Sequence, residues 1–388
     1  MRYSRSLLHI LGLIIIFSGQ ICAVPDIQTE DINIGHRLIF KSDILDTTVK
    51  LAISLPVGYE SSNINYPVLY SFRGAFYHSA GIIRALSRSK YIPEMIVVDY
   101  TNCDANFLIP TSSSSGRGGY ADSLIVFMEN ELIPFIEASY RTYSYRILYD
   151  GSWGGVFCIY SVLTKPETFH SAIAGGPWII YDDTSQYILK NTASLINSHT
   201  YNNNCIFFNG GQQPELTPSL RELADTLSHY SKPGLQWHYE PMLNHEHSLL
   251  TVSALTEGLR YVFSDWRTLP DSTVIYGLDS IKSYNSGLIQ KYGTGIKTSA
   301  LSSKGWGYFQ NGQTKTAIEI FKMNVSLFPD SAMAYYSTGR ALHISEQYPE
   351  ALEYYEKALQ LGQKYAHRFT SLFEDYFNKV SDIVDSLK

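Results

Sequence analysis

The chain is poor in charge, in cysteine and in long apolar runs. Asp, Glu, Lys and Arg make up 17% of its 388 residues, with a net charge of −6. Without a basic excess there is no electrostatic footprint for nucleic acid, which is therefore not expected as a partner. Cys22 lies in the N-terminal leader region. The other cysteines, Cys103, Cys158 and Cys205, are an odd number without close pairing, which argues against a disulfide framework or a cysteine metal site. Cys158 and Cys205 stand in apolar runs and are expected in the core. No His, Cys and carboxylate cluster has zinc-like spacing, so no metal site is expected, and no cofactor is needed. Beyond the N-terminus no apolar stretch approaches the roughly 20 residues that cross a bilayer.

What the chain does have begins at that N-terminus. Arg2 and Arg5 precede an apolar run, Leu7 to Phe17, and Ser18, Gly19 and Ala23 lead to Val24-Pro25. This is the layout of a secretory signal at 1–23, with cleavage after Ala23 and export to the periplasm or beyond the cell. The apolar run is short for a membrane anchor, so no stable span is expected once the signal is gone.

Apolar residues are 45% of the chain, enough for a sizeable core, and tyrosine is abundant at 30 residues. Residues 26–270 alternate short apolar runs with helical periodicity. Val49-Leu55, Pro67-Phe72, Met95-Tyr100, Tyr145-Tyr149, Ser171-Ala174, Cys205-Phe208 and Leu235-Tyr239 read as strands. Ser123-Tyr140, Gly155-Leu163 and Leu220-Tyr230 read as helices. That alternation predicts an α/β domain, a mostly parallel sheet covered on both faces. Residues 271–297 read as a mixed linker or short helix. In 298–388, Gly305, Ala317 and Phe321 recur 34 positions later as Gly339, Ala351 and Tyr355. A period of about 34 residues with small residues and an aromatic at those offsets resembles the tetratricopeptide repeat. Two repeats and a capping helix are expected, docked on the first domain and offering a surface to a protein partner.

Chemistry points to Tyr145-Arg-Ile-Leu-Tyr-Asp150-Gly151-Ser152-Trp153-Gly154-Gly155. A short strand runs through a turn into a helix, with small residues after the serine. That is the arrangement of a nucleophile elbow, in which strained dihedrals present a serine and bulky neighbours would clash. The usual G-x-S-x-G has Asp150 in its first position here. The plainer reading is a glycine-rich turn with a chance serine.

The surrounding blocks favour the elbow. Leu55-Pro-Val-Gly-Tyr59, Tyr66-Pro-Val-Leu-Tyr70, Phe127-Met-Glu-Asn-Glu-Leu-Ile-Pro-Phe-Ile-Glu137, Tyr140-Arg-Thr, Gly151-Ser-Trp-Gly-Gly-Val-Phe and Pro166-Glu-Thr-Phe169 resemble, in order and spacing, the esterase family of α/β-hydrolases that includes esterase D and the siderophore trilactone esterases. The resemblance covers residues 30–268. It implies Ser152 as nucleophile and an oxyanion hole from the backbone N–H of Trp153 and one near Gly74-Ala75. It also implies a histidine about eleven residues before a Gly-Leu helix, which Gly258-Leu259 supplies, so His247 is favoured over His245. The orienting acid would follow the strand Cys205-Phe208. Glu215 is the carboxylate in that turn, although it serves equally as a helix-start residue, and Asp182 or Asp183 is the fallback.

The chain also departs from the family. Relatives commonly have Asp-Gly where this chain has Arg73-Gly74, and an Arg-Asp pair where it has Asp104-Ala105-Asn106-Phe107, which disfavours an anionic siderophore. The loop 111–119 is polar and reads either as a cover for the site or as plain linker. Two functions are consistent with these features. One is an exported serine carboxylic-ester hydrolase acting on a small ester. The other is a catalytically impaired hydrolase-fold scaffold working through its repeats.

Overall fold

A computed structural model describes residues 33–111, 118–180 and 186–387. The leader at 1–23, most of the 111–119 loop, and Asp182 and Asp183 lie outside the described residues.

Eight strands form one sheet in the order β1-β2-β4-β3-β5-β6-β7-β8. They are β1 (His36–Ser42), β2 (Thr47–Ser54), β3 (Tyr66–Phe72), β4 (Ile96–Tyr100), β5 (Thr142–Gly151), β6 (Ser171–Gly175), β7 (Asn204–Gly210) and β8 (Leu235–Pro241). β1 pairs antiparallel with β2, and β2 with β4; from β4 to β8 every pairing is parallel. β3, β4, β6 and β7 are buried at every position. That is why they appear in the sequence as short continuous apolar runs: a parallel strand has both faces covered.

Helices α1 (Phe76–Arg88), α4 (Trp153–Thr164), α5 (Gln186–Ser198), α6 (Thr217–Tyr230) and α7 (His247–Val262) accompany the sheet. The helix expected across 123–140 is interrupted. α2 (Ala121–Phe127) and α3 (Ile133–Ser139) flank a π-helical turn, Met128–Leu132. Pro134 has no N–H to return to the preceding turn, so the ladder widens just before it.

Past α8 (Ser264–Arg267), the stretch 271–297, read as a mixed linker or short helix, is largely helical. That stretch holds α9 (Asp271–Ile275) and the 15-residue α10 (Leu278–Tyr292). Then come α11 (Thr298–Gln310), α12 (Thr314–Leu327), α13 (Ala332–Ile344), α14 (Tyr348–Lys364) and α15 (Thr370–Ser386). A Cβ on Gly305 would stand 2.7 Å from the Phe321 ring, and one on Gly339 would stand 3.0 Å from Tyr355. The same close helix approach thus recurs in both pairs. This region has its own apolar cluster, including Phe321, Tyr336, Leu342, Tyr355 and Phe373, separate from the cluster around the sheet. The sheet and the C-terminal helices nevertheless fall in one compact unit, Gly35–Lys388.

Candidate active site

Loops at the carboxyl edge of the sheet, where open α/β sheets bind ligands, carry the chemistry-bearing residues. Arg73 and Gly74 follow β3, Ser152 follows β5, Gln213 follows β7, and His247 opens α7 after β8.

Ser152 sits at φ 55°, ψ −124°. A side-chain-bearing residue in such a conformation costs about 1–3 kcal/mol and persists only where its surroundings hold it. They do so here. The Ser152 N–H donates to Gly175 O at 2.9 Å, and Ser152 O accepts from Val156 N at 3.2 Å and Trp178 N at 3.1 Å. Trp153 begins α4, with its N–H at the positive end of that helix.

His247 reaches this turn through Thr251, one helical turn further along α7. A Cβ on Gly151 would overlap the Thr251 hydroxyl, and a Cβ on Gly175 would overlap its backbone. Both strand ends are stripped of side chain so that α7 can rest on the elbow. A Cβ on Gly176 would lie 3.2 Å from His247 Nδ1. Trp178, whose N–H holds Ser152 O, packs edge-on to the imidazole with ring centroids 5.3 Å apart. Two polar links hold the arrangement. Buried Asn209 accepts from Gly176 N at 2.8 Å and donates to Leu250 O at 2.9 Å. Tyr149 accepts from His78 Nε2 at 2.8 Å and donates to Thr251 O at 2.9 Å.

His247 Nδ1–H donates to Gln213 Oε1 at 2.9 Å. That bond leaves Nε2 as the unprotonated nitrogen, the form a general base requires. Burial holds the imidazole below its ordinary pKa of 6.5, while the charge of Glu215 acts in the opposite sense. Among the described residues no hydrogen bond joins Ser152 Oγ to the ring; such contacts often tighten only with substrate bound.

Two expected site groups have other surroundings than the sequence suggested. Gln213, not Glu215, contacts the imidazole. Residue 213 follows β7 closely, and its carbonyl accepts from Leu216 and Thr217 at the start of α6, each at 3.0 Å. By residue 215 the chain has turned outwards, and Glu215 is exposed, acting on His247 only through space. The loop amides of Gly74 and Ala75 are also committed elsewhere. Gly74 N–H donates to Asp99 Oδ1 at 3.1 Å, and Ala75 N–H is shared between Asp99 and Phe72 O. Asp99 is wholly buried and needs those donors, together with Ser71 Oγ at 2.9 Å. His245, the less favoured histidine, holds the turn through its backbone, accepting from Gln212 N at 3.2 Å.

Two departures seen in the sequence prove to be one feature. Arg73 Nε lies 3.4 Å from Asp150 Oδ2, and its Nη2 donates to Gly151 O at 3.2 Å. Asp150 also accepts from Gly151 N at 2.7 Å, and a Cβ on Gly154 would overlap its carboxylate. Asp150 therefore fills the space beneath the first turn of α4. Burial raises its pKa to about 6 even though Arg73 pulls it down.

Residues 42–230 match a family model described as "Putative esterase". The chain is a hydrolase. It is 26% identical over 228 residues to the ferri-bacillibactin esterase BesA of Bacillus subtilis (strain 168), covering 50% of this chain and 78% of that protein. The hydrolase shares its fold with an IroE-like serine hydrolase from Shewanella oneidensis, with a TM-score of 0.60 and 20% identity over 76% of this chain and 99% of the other. An uncharacterised protein from Capnocytophaga ochracea DSM 7271 matches with a TM-score of 0.61 and 11% identity, over 90% of this chain and 99% of its own. A share that large takes in C-terminal helices as well as the sheet. The fold is that of an α/β-hydrolase with an all-helical C-terminal region.

Proposed function

We propose that this hydrolase cleaves carboxylic esters by acyl transfer through Ser152. The observation that carries the proposal is the strained Ser152 turn with α7 resting on it, so that the His247 ring lies against the adjacent Gly176. His247 Nε2 takes the Ser152 hydroxyl proton as Oγ attacks the ester carbonyl. The tetrahedral oxyanion is met by the N–H of Trp153 and the positive end of α4. His247 then gives its proton to the departing alcohol. A water, deprotonated by the same nitrogen, releases the acid and restores Ser152. Gln213 fixes the ring and its tautomer but has no charge to stabilise the imidazolium, so the machinery is a serine–histidine pair oriented by an amide.

Two further parts of the proposal rest on sequence pattern. The chain is exported after cleavage at Ala23, which the mass of the mature N-terminus tests. The C-terminal helices are two tetratricopeptide-like repeats with α15 as cap, a reading supported by the recurring Gly-aromatic contact, and they present a surface for a protein partner.

The deciding experiment is hydrolysis of p-nitrophenyl acetate, and of a panel that includes trilactones, by the protein and by Ser152→Ala. Loss of about 10³-fold or more is expected in the variant, with fluorophosphonate labelling at Ser152 in the parent. Equal turnover by Ser152→Ala would sink the serine mechanism. The rival scaffold function is favoured by the neutral Gln213, which leaves His247 without a charged hydrogen-bond partner. It wins if no ester is turned over and Ser152 takes no label.

A further inference from the structure

A second site stands at the junction of the sheet and the helical region, built from segments remote in sequence from the nucleophile. A cavity of about 610 Å³ is lined by the turn after α1, the end of α8 with the two residues after it, and the first turns of α11. Its lining contains Lys90, Arg267, Lys297 and Lys304 and no carboxylate. On a chain with a net charge of −6, four cations around one concavity run against the overall balance.

The charges are also poorly compensated. Lys304 Nζ pairs with Asp271 Oδ1 at 2.6 Å, whereas Lys90, Arg267 and Lys297 have no ion pair among the described residues. Lys297 Nζ lies 5.8 Å from the ring of Trp266, a buried part of the wall. Lys297 is exposed overall, yet desolvation of its ammonium by the wall, and then the charge of Lys90, hold its pKa below the ordinary lysine value, while Glu94 opposes them. Arg267 is set over the Tyr91 ring at 5.1 Å, and Lys90 is held at φ 61° where α1 ends. Thr268, Ser299 and Ser303 add hydroxyls, and the N-terminus of α11 adds backbone donors and the positive end of a helix.

Cations that repel one another around a cavity of small-molecule size are stabilised by a multiply charged anion. We propose that this cavity binds a phosphate-type dianion, held by Lys90, Arg267 and Lys297 together with the hydroxyls of Thr268 and Ser299. Its occupant bridges α1 and α11 and so fastens the first C-terminal helix pair to the hydrolase sheet. The site is independent of the ester chemistry at Ser152.

The test is isothermal titration of the full chain at low salt with inorganic phosphate and with phenyl phosphate, each against potassium chloride at matched ionic strength. Saturable binding that weakens as salt rises is expected. The Kd should rise about tenfold or more in the double variant Arg267→Gln, Lys297→Gln. Tighter binding of phenyl phosphate would assign the cavity to a phosphate ester, and tighter binding of inorganic phosphate would assign it to the free ion; either supports the site. Unchanged p-nitrophenyl acetate hydrolysis and circular dichroism show that the variant is folded. If it is not, Lys90→Glu at the rim makes the same test. No saturable heat, heat matched by potassium chloride, or equal affinity in a folded variant would overturn the proposal.

Discussion

At the scale of single residues, Gln213 and the Arg73–Asp150 pair make this site particular. A base must be neutral to act, and burial keeps the His247 pKa below 6.5. Turnover should therefore rise with pH below that value and be level through neutrality. Gln213→Glu would place a carboxylate on Nδ1, raising the imidazole pKa and moving the acid limb of kcat/KM towards neutral pH; Gln213→Ala should lower kcat by about tenfold without that shift. A pH–rate profile of the three proteins checks both. Asp150 obeys a different sign rule. Its folded pKa of about 6 lies above the ordinary 3.8, so the folded state holds the proton more tightly and Asp150's contribution to stability falls as pH rises between those values. Asp150→Asn should remove that decline, seen as a smaller difference between urea midpoints at the two ends of the window. Arg73→Gln leaves a buried carboxylate unpaired. With the arginine side chain 31% exposed and the pair 3.4 Å apart, the loss should be about 1–2 kcal/mol, well below that for a fully buried pair. Adding Asp150→Gly should recover most of it.

At the scale of elements, the site depends on α7 lying flat on the ends of β5 and β6. Gly151→Ala would drive a methyl into Thr251 and lift the N-terminal turn that carries His247. Near-native circular dichroism with kcat reduced by about 10²-fold is expected, since a small misplacement of a catalytic group has that effect. Adding Thr251→Ala, which removes the overlapped hydroxyl, should restore part of the rate. The strained turn at Ser152 was legible in the sequence because strand, small residues and helix are contiguous there, and His247 was singled out because the family resemblance implies a histidine about that far before a Gly-Leu helix. Gln213 was not: an amide doing an acid's positional work looks like any loop glutamine. Nor was Asn209, whose partners Gly176 and Leu250 lie 33 and 41 positions away. Arg73 and Asp150 were each visible as departures, yet 77 positions separate them and only the fold joins them. Among the elements, the buried parallel strands could be read directly. β1 was missed because its pattern mixes exposed and half-buried positions at the sheet edge. α10 resembled a linker because Ile281, Leu288 and Tyr292 are its buried residues on an otherwise polar helix.

At the scale of the whole molecule, α10 decides where the hydrolase part ends. A boundary near residue 270 would leave α10 with the C-terminal helices, but Tyr292 belongs to the sheet side. It is fully buried, and its hydroxyl bonds Val262 O and Asp265 Oδ1, each at 2.7 Å. Its ring meets Tyr145 on β5 and Phe263 after α7, both at 4.8 Å. Lys291 adds an ion pair to Asp265 at 2.9 Å. The helices from α12 onwards are gathered instead around their own cluster of Phe321, Tyr336 and Tyr355. The autonomous hydrolase unit is therefore expected to run through α10. A chain ended at residue 297 should keep a cooperative urea transition and its esterase rate. One ended at residue 270 should lose about 3–5 kcal/mol of stability, the scale for deleting a large buried aromatic. Tyr292→Ala in the full chain should show a loss of the same order without removing any helix. If the shorter chain and Tyr292→Ala both unfold at the parent's urea midpoint, α10 is only a connector and the boundary returns to residue 270.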